Sequence, residues 1–508
     1  MSVAESRESS LYAKACAHVR ETALLNSAEA LLGWDERTGL PPEAGDYRAE
    51  QMTLLAGIIH ARNTDKQYGE WLGELTTTSL AADRHSDAGT TIRQLKRNYD
   101  KATKLPQSLV EELTRTTSLA QHVWIEARKE NDYAKFAPLL KKMYELKRQQ
   151  AEALGYQECA YDALLDDYEP EETTAHVKQV LSGLRDALVP LVAAIAASPR
   201  RPDETILTRE YDVKTQEFFG KHAAASIGFD FRRGRLDTTH HPFCTGLGPN
   251  DCRITTRYDL NYLPTSLFGI LHEAGHGIYD QGLRRDCDGL PPGDAVSLGI
   301  HESQSRLWEN LVGRSRAFWV HFFPQTQSNF PHALDKVTLD EFYFAVNNVR
   351  PSLIRVEADE ATYNLHILIR FELEQALLDD NLSISDLPHA WHDKYRQYLG
   401  VASDTDADGV LQDIHWSAGL VGYFPTYSLG NLYACQFFEQ ATADLGDLNE
   451  QFARGEFTPL RHWLQKNIHE QGQRYTAAEL VERITGKTLS HEPLMRHLTG
   501  KLGPLYGL

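Results

Sequence analysis

The composition of this 508-residue chain, with 42% hydrophobic and 24% charged residues, is that of a soluble globular protein with a large core. Its formal net charge of −19 argues against nucleic acid or an anionic membrane surface as the main partner. The sequence predicts neither a secretory signal nor a membrane span, because we find no apolar leader and no run approaching 18 apolar residues. The six cysteines are spread thinly without a CxxC pair, which is typical of reduced thiols in a cytoplasmic protein.

Most of the sequence has the periodicity of amphipathic helices. After Pro106, apolar residues recur at spacings of three, four and seven, which predicts one buried helix face. The residues of this face are Leu109, Leu113, Ala120, Trp124 and Ala127. Near the end of the chain, Thr476 and Glu479 form a capping-box pattern, and Gly486 stands where the helix that follows should stop.

Strand patterns are few. Apolar and polar residues alternate at 229–236 and at 254–262, which predicts one small sheet. No linker rich in Pro, Gly or Ser divides the chain. We therefore predict a mostly α protein, with one large helical unit over residues 1–508, a functional core at about 229–430, and the small sheet beside the helix at 266–283.

The helix predicted at 266–283, SLFGILHEAGHGIYDQGL, contains His272, Glu273 and His276 in HExxH spacing. Positions four apart lie on one face of a helix, so the two imidazoles can bind one metal ion. Glu273 then projects beside the open coordination position, where it can take a proton from a water that the metal activates. The pattern alone does not distinguish a metal site from a buried helix with two hydrogen-bonded histidines, because both would have the same sequence.

A catalytic zinc usually takes three protein ligands, so the sequence should contain a third. Glu302, 26 residues after His276, begins another helix-like run and would complete a His2Glu site. The alternatives are that Glu302 is a solvated residue in a first helical turn, and that its neighbour His301 is the ligand.

Six motifs in order extend this pattern along the chain. They are HPF at 241–243, DCRIT at 251–255, HEAGH at 272–276, HESQ at 301–304, IRVEAD at 354–359 and GVLQDIHW at 409–416. Together with LLGWDERTGLPPEAGDYRAEQ at 31–51, they resemble the carboxypeptidase Taq (M32) metallopeptidases over essentially the whole chain. One departure is Cys244, where that family usually has a small hydroxyl residue.

The resemblance implies a helical homodimer in which the small sheet lines a deep active-site groove. It implies one divalent metal per chain, zinc or alternatively cobalt, bound by His272, His276 and Glu302. It also implies hydrolysis of the C-terminal peptide bond of peptides with broad specificity. The alternatives are a related HExxH zinc oligopeptidase or dipeptidyl carboxypeptidase, and a helical interaction protein with a structural metal. A structural site would not need Glu273.

Peptide hydrolysis also needs a hydrogen-bond donor for the oxyanion that forms during the reaction. The aromatic-rich stretch at 413–430 supplies three candidates, His415, Tyr423 and Tyr427. Each of them could equally be a packed core residue.

A carboxypeptidase must bind the free carboxylate of its substrate, and a guanidinium is the natural partner. Arg355 lies within a family motif and is the first candidate, and Arg350 is the second. The alternative is that these arginines pair with Glu357 or Asp359 on a solvated face.

An acidic stretch resembles the start of a calcium-binding loop. Asp404, Asp406, Asp408 and Gly409 match the first six positions of an EF-hand loop. The twelfth position, which should be a bidentate Glu, is His415, so we do not expect calcium there.

Overall fold

The computed structural model describes residues 3–508, with side chains from residue 7 onwards. The chain is 69% helical, which confirms the prediction of a mostly α fold. The first ten helices are α1 Val3–Thr38, α2 Gly45–Asn63, α3 Lys66–Leu75, α4 Asp87–Lys104, α5 Gln107–Glu130, α6 Tyr133–Leu154, α7 Ala160–Leu165, α8 Thr174–Ala197, α9 Val213–Ile227 and α10 Leu263–Gly282.

Eleven further helices follow in the second half of the chain. They are α11 Leu298–Arg306, α12 Arg316–Asn329, α13 Pro331–Leu334, α14 Leu339–Val346, α15 Tyr363–Leu378, α16 Leu387–Leu399, α17 Pro425–Leu445, α18 Leu448–Ala453, α19 Thr458–Asn467, α20 Ala477–Thr485 and α21 Glu492–Tyr506. A π-helical segment, Leu307–Gly313, continues α11. Short 3-10 helices lie at Pro42–Ala44, Ser79–Ala81, Glu204–Ile206, Arg285–Cys287, Pro291–Gly293, Arg355–Glu357 and His469–Arg474.

The chain divides into two compact units, and each unit takes three separate segments of sequence. Unit 1 contains the described residues up to Thr103 together with Glu204–Val346 and Phe437–Ile484. Unit 2 contains Lys104–Asp203, Asn347–Gln436 and Thr485–Leu508. Because neither unit is continuous in sequence, a single linker cannot divide them, which explains why the sequence contains none.

The predicted start of α5 and the predicted start and end of α20 are confirmed. Helix α5 begins directly after Pro106 and buries Leu109, Ala120, Trp124 and Ala127 of the predicted face, whereas Leu113 is half-buried. Ahead of α20, the Glu479 carboxylate accepts a hydrogen bond from the Thr476 N–H at 2.9 Å, and the Thr476 hydroxyl accepts one from the Glu479 N–H at 3.2 Å. Gly486 then adopts a φ of +69°, a conformation that suits glycine after a helix end.

Helix α8 is long and apolar enough to cross a membrane, with a mean hydropathy of 1.7 over 18 residues. Length and composition alone are weak grounds for a span, because the core helix of a soluble protein passes the same test. The buried residues of α8 lie on one face, which packs against α15, α16 and α21 of unit 2. This one-sided burial is typical of an amphipathic helix that packs one face against a protein core.

The predicted small sheet lies in unit 1 and packs against α10. Its strands are β1 Gly234–Thr238, β2 Cys244–Gly246 and β3 Cys252–Thr256, in the order β1-β3-β2. Strand β1 runs parallel to β3, and β2 runs antiparallel to it. The prediction of a sheet beside the HExxH helix is thus confirmed.

The predicted start of the first strand and the predicted end of the second strand are wrong, because an aspartate forms a turn at each place. At 230–233 the Asp230 carboxylate accepts from the Arg232 N–H at 2.9 Å, and the backbone closes a turn. At 259–262 the Asp259 carboxylate accepts from the Asn261 N–H at 2.8 Å. Aspartate side chains stabilise turns in this way, and the local bond outweighs the alternation of apolar residues.

A close approach between α10 and α11 positions the HExxH residues. A Cβ atom at Gly275 would lie 2.6 Å from the Ser305 Cα and 2.7 Å from the Gln304 carbonyl oxygen. Both of these are backbone atoms, which a side chain cannot displace cheaply. The glycine between the two histidines is therefore needed for α11 to pack this tightly on α10.

We expect Gly275→Ala to destabilise the protein by about 1–3 kcal/mol, the usual cost of overpacking a core. The matched control is Gly269→Ala on the same helix, where a Cβ would meet only the Thr256 Oγ1 at an ordinary 3.5 Å. Alanine stabilises a helix interior by up to about 1 kcal/mol over glycine, so the control should be neutral or stabilising. Denaturant unfolding of both variants measures the difference. Equal stability of the two would contradict the close approach.

Candidate metal centre

Three side chains of unit 1 meet at the crossing of α10 and α11. Potential ligand atoms of His272, His276 and Glu302 all lie within 4.8 Å of one another. The Glu302 Oε2 lies 3.6 Å from the His272 Nε2 and 3.3 Å from the His276 Nε2. Tetrahedral zinc, with Zn–N and Zn–O bonds of about 2.0–2.2 Å, separates its ligand atoms by about 3.3–3.6 Å. The spacing of these residues therefore fits a divalent ion.

A hydrogen bond to Glu309 sets the tautomer of His272. The His272 Nδ1 lies 2.9 Å from the Glu309 Oε2. A carboxylate can only accept, so Nδ1 bears the proton and donates it. The lone pair of Nε2 is then left facing Glu302, as a metal ligand requires.

A longer chain of hydrogen bonds sets the tautomer of His276. The His301 Nε2 donates to the Asp280 Oδ1 at 2.9 Å, which leaves the His301 Nδ1 as an acceptor. The His276 Nδ1 lies 2.6 Å from that atom and must donate to it. The His276 Nε2 is then left with its lone pair directed at Glu302. Both ring nitrogens of His301 are engaged in this chain, so the geometry favours Glu302 over His301 as the third ligand.

Arginine side chains keep the buried carboxylates of the cluster ionised. The Arg306 Nε donates to the Glu302 Oε1 at 2.7 Å. Burial opposes ionisation, but Arg306 still holds the pKa of Glu302 well below its usual range. Burial also opposes the ionisation of Glu309, but Arg306, His272 and Arg314 lower the pKa of Glu309 to about 2. Burial lowers the pKa of His276 to about 4, so this imidazole is neutral and able to bind a cation.

Glu273 directly follows His272 on α10, and its pKa is shifted in the opposite direction to those of Glu302 and Glu309. Its side chain is buried, with 6% of the residue exposed. Burial raises the pKa of Glu273 to about 7, and the neighbouring acids add to this effect. A carboxyl group with a pKa near neutrality is suited to exchange protons during a reaction.

The two candidate carboxylate-binding arginines of unit 2 differ in exposure. Arg355 is buried, and its Nε and one terminal nitrogen donate to the Asp413 Oδ1 at 3.0 and 2.8 Å. Its other terminal nitrogen donates to the Tyr363 hydroxyl at 2.9 Å. Arg350 is exposed, and its backbone N–H donates to the Asp359 carboxylate. The charge of Arg355 is thus already paired with Asp413.

The three candidate oxyanion donors lie together in unit 2. The ring of Tyr423 lies 5.5 Å from that of His415 and 5.3 Å from that of Tyr427. The His415 Nε2 lies 3.2 Å from the Tyr427 hydroxyl, and its Nδ1 is buried with no hydrogen-bond partner among the described residues. Burial lowers the pKa of His415 to about 3, so its imidazole is neutral.

The acidic stretch at 404–409 forms a local turn. The Thr405 hydroxyl accepts from the Asp408 N–H at 3.3 Å, and the Gly409 N–H donates to the Asp406 carbonyl at 3.1 Å. Over the described part of the chain, these aspartates are not among the side-chain groups spaced to hold a metal.

Comparison with known proteins identifies the family. Residues 14–502 match the family described as Carboxypeptidase Taq (M32) metallopeptidase. The chain belongs to this family. It is 48% identical to Thermostable carboxypeptidase 1 of Thermus thermophilus, over 96% of this chain and 97% of that protein. It is 38% identical to Carboxypeptidase 1 of Bacillus subtilis, over 95% and 96%.

A solved structure agrees with this assignment over the full fold. The crystal structure of the M32 carboxypeptidase from Deinococcus radiodurans R1 superposes with a TM-score of 0.95 at 42% identity, over 98% of this chain and all of that one. The protein is therefore a metal-dependent carboxypeptidase that hydrolyses peptides. The predicted family and activity are confirmed, and the oligopeptidase alternative is not favoured.

Sequence reasoning missed the residues that hold the candidate metal-binding side chains in place. Asp280 follows His276 by four positions, and Glu309 follows Glu302 by seven. Both spacings return to the same helix face, so helical periodicity could have identified these two acids. The role of Arg306, four positions after Glu302, follows from the same rule.

We expect Glu302→Ala to lose the metal, because it removes an oxygen that faces both imidazoles. His301→Gln should retain the metal with an affinity about 10–100-fold lower, the usual effect of removing a residue that orients a ligand. Metal content and competition titration with a chelator measure both. The reverse order of affinities would make His301 the ligand.

Proposed function

We propose that His272, His276 and Glu302 bind one zinc ion, with cobalt as the alternative. The convergence of two imidazole lone pairs and one ionised carboxylate on a common point supports this assignment more than any other observation. Two imidazoles and a carboxylate suit zinc or cobalt, whereas calcium prefers six or more oxygen ligands. A bound divalent ion would lower the pKa of water and polarise the scissile carbonyl.

Glu273 is the general base in this proposal. Its carboxylate takes a proton from the attacking water and later passes it to the leaving amine. The position of Glu273 directly after the first histidine, and its pKa of about 7, suit both transfers.

The cluster of His415, Tyr423 and Tyr427 supplies the hydrogen-bond donor for the oxyanion. The neutral imidazole of His415 has one N–H, and Tyr423 and Tyr427 each have a hydroxyl. All three side chains can therefore donate a hydrogen bond at neutral pH.

Arg350 contacts the terminal carboxylate of the peptide in this proposal. The family motif had favoured Arg355 for this role. Arg350 is exposed, whereas the guanidinium of Arg355 is buried against Asp413 and Tyr363. Arg355 instead fixes Asp413, two residues before His415.

The remaining proposals follow from the family resemblance. Residues 1–508 act as one peptidase domain with peptides as substrates, and the protein is a cytoplasmic homodimer. All six cysteines are free thiols, which agrees with a reducing compartment. Sedimentation equilibrium should give a mass of about twice 57.4 kDa.

We expect Glu273→Gln to abolish turnover while the metal content stays near one per chain, because the substitution removes the base and retains every ligand. In the metal-bound parent protein kcat/KM should fall at acidic pH, because only the carboxylate form of Glu273 accepts a proton. The bound cation favours the carboxylate, so this fall should lie below the pKa of about 7 that Glu273 has without a metal. Substantial residual turnover in Glu273→Gln would exclude the mechanism.

The assay for the activity follows release of single C-terminal residues from a peptide with a free C-terminus and from its amidated form. The free acid should be strongly preferred. A strong chelator should stop release, and zinc or cobalt should restore it while calcium does not. Equal cleavage of both peptides would favour an endopeptidase.

The same pair of peptides tests the arginines. Arg350→Ala should lower kcat/KM for the free acid about 10–100-fold, since a charge-assisted hydrogen bond contributes about 1.5–3 kcal/mol. Arg350→Lys should be impaired as well, because lysine lacks the two-pronged geometry. Arg355→Ala should keep the preference for the free acid and lose stability. The opposite pattern would return the role to Arg355.

A further inference from the structure

A second group of potential metal ligands lies in unit 1, apart from the His2Glu site. The Sγ atoms of Cys244 and Cys252 are 3.5 Å apart. The Asp280 Oδ2 lies 3.9 Å from the first sulfur and 3.8 Å from the second. The three side chains come from β2, β3 and the last turn of α10.

The register of the sheet brings the two thiols together. Cys244 pairs with Ile254, and Cys252 pairs with Gly246. The two cysteines are therefore diagonal neighbours, two positions apart on the same face of the sheet. That face packs against α10, where a Cβ at Gly277 would lie 3.3 Å from the Cys252 sulfur.

We propose that Cys244, Cys252 and Asp280 form a second metal site, which binds a thiolate-preferring divalent ion such as zinc or cadmium. Zinc–sulfur bonds of about 2.3 Å in tetrahedral geometry place two sulfurs about 3.8 Å apart and a sulfur about 3.6 Å from a carboxylate oxygen. The observed separations of 3.5, 3.8 and 3.9 Å match this arrangement. The ion replaces the two thiol protons, so each binding event releases two protons.

A disulfide fits the same pair less well. Diagonal neighbours on antiparallel strands are typically about 7–8 Å apart, whereas a disulfide spans Cα atoms about 4.4–6.8 Å apart. A bridging ion does not require the strands to move closer. It also accounts for the carboxylate beside both sulfurs, which a disulfide would not need.

The charge of the pocket favours a cation. Ionisation of both thiols would give three negative charges with Asp280, and the Glu273 carboxyl group also acts on Cys244. Without a cation, the hydrogen bond to Cys252 and burial keep the pKa of Cys244 well above its usual range. A divalent ion leaves a net charge of −1 at the three ligands.

Two of the three side chains are partly exposed. Cys244 is half-buried, and 19% of the Asp280 side chain is exposed. Three protein ligands leave the fourth tetrahedral position for water.

Asp280 links this site to the His2Glu site. Its Oδ2 faces the sulfurs, and its Oδ1 accepts the hydrogen bond from His301 that orients His276. An ion on the sulfurs would therefore fix the carboxylate that supports a proposed catalytic ligand. This link rests on the proposed metal centre, but the thiolate site itself does not.

Cobalt titration of the full-length chain tests the site. The chain is freed of metal with a chelator and kept reduced with a phosphine, and Co²⁺ is then added. We expect two Co²⁺ per chain, a sulfur-to-cobalt charge-transfer absorption, and two protons released with the appearance of that absorption. The His2Glu site contains no sulfur and cannot produce the absorption.

Single substitutions identify the residues that produce the charge-transfer absorption. Cys244→Ser should lose the absorption and bind one Co²⁺, with an unchanged fold by circular dichroism. The matched control is Cys287→Ser, a buried cysteine whose Sγ lies 3.8 Å from the Asp286 carboxylate, and it should keep the absorption. His276→Ala should also keep it while the other Co²⁺ is lost, which separates this site from the catalytic one.

Three results would overturn the proposal. They are no charge-transfer absorption in the folded parent chain, an absorption that persists in Cys244→Ser, and the loss of two titratable thiols without metal uptake. The last result would show that the pair forms a disulfide.

Discussion

The contact between α10 and α11 at Gly275 is the constraint on which the candidate metal centre depends. The two histidines lie on one face of α10, and only a helix packed directly against that face can place a carboxylate between them. A side chain at position 275 would collide with the backbone of α11. The space that Gly275 leaves therefore determines whether Glu302 reaches both imidazoles.

That tight packing buries several charges, and the charges around them keep the arrangement stable. Burying an ion is costly unless it is paired and hydrogen-bonded. Arg306 contacts Glu302 and Glu309, so one guanidinium compensates two carboxylates. Hydrogen bonds continue from His276 through His301 to Asp280 and hold both imidazole rings in a single tautomer.

Much of this arrangement could be predicted from local periodicity. The spacing of His272 and His276 placed them on one helix face, and ordered motifs brought Glu302 into the same site. The strand ends could not be predicted in this way, because Asp230 and Asp259 bond to their own backbone and override the alternation. The register of β2 on β3 depends on tertiary packing, so the sequence did not reveal that two cysteines eight residues apart would meet.

Long-range pairing explains why the roles in unit 2 were harder to predict. The sequence suggested Glu357 or Asp359 as partners for Arg355, since both are close in sequence. The structure pairs Arg355 with Asp413, 58 residues away. A local pattern cannot contain such a partner, because the pairing is decided by how the segments fold together.

Asp413 binds two arginines at once, Arg355 through Oδ1 and Arg370 through Oδ2. All three side chains are largely buried, with 6%, 0% and 12% exposure for Arg355, Arg370 and Asp413. Dissolved ions screen buried pairs far less than exposed ones. The segment that leads into the aromatic cluster is therefore held by contacts that barely respond to ionic strength, although the chain as a whole bears a large negative charge.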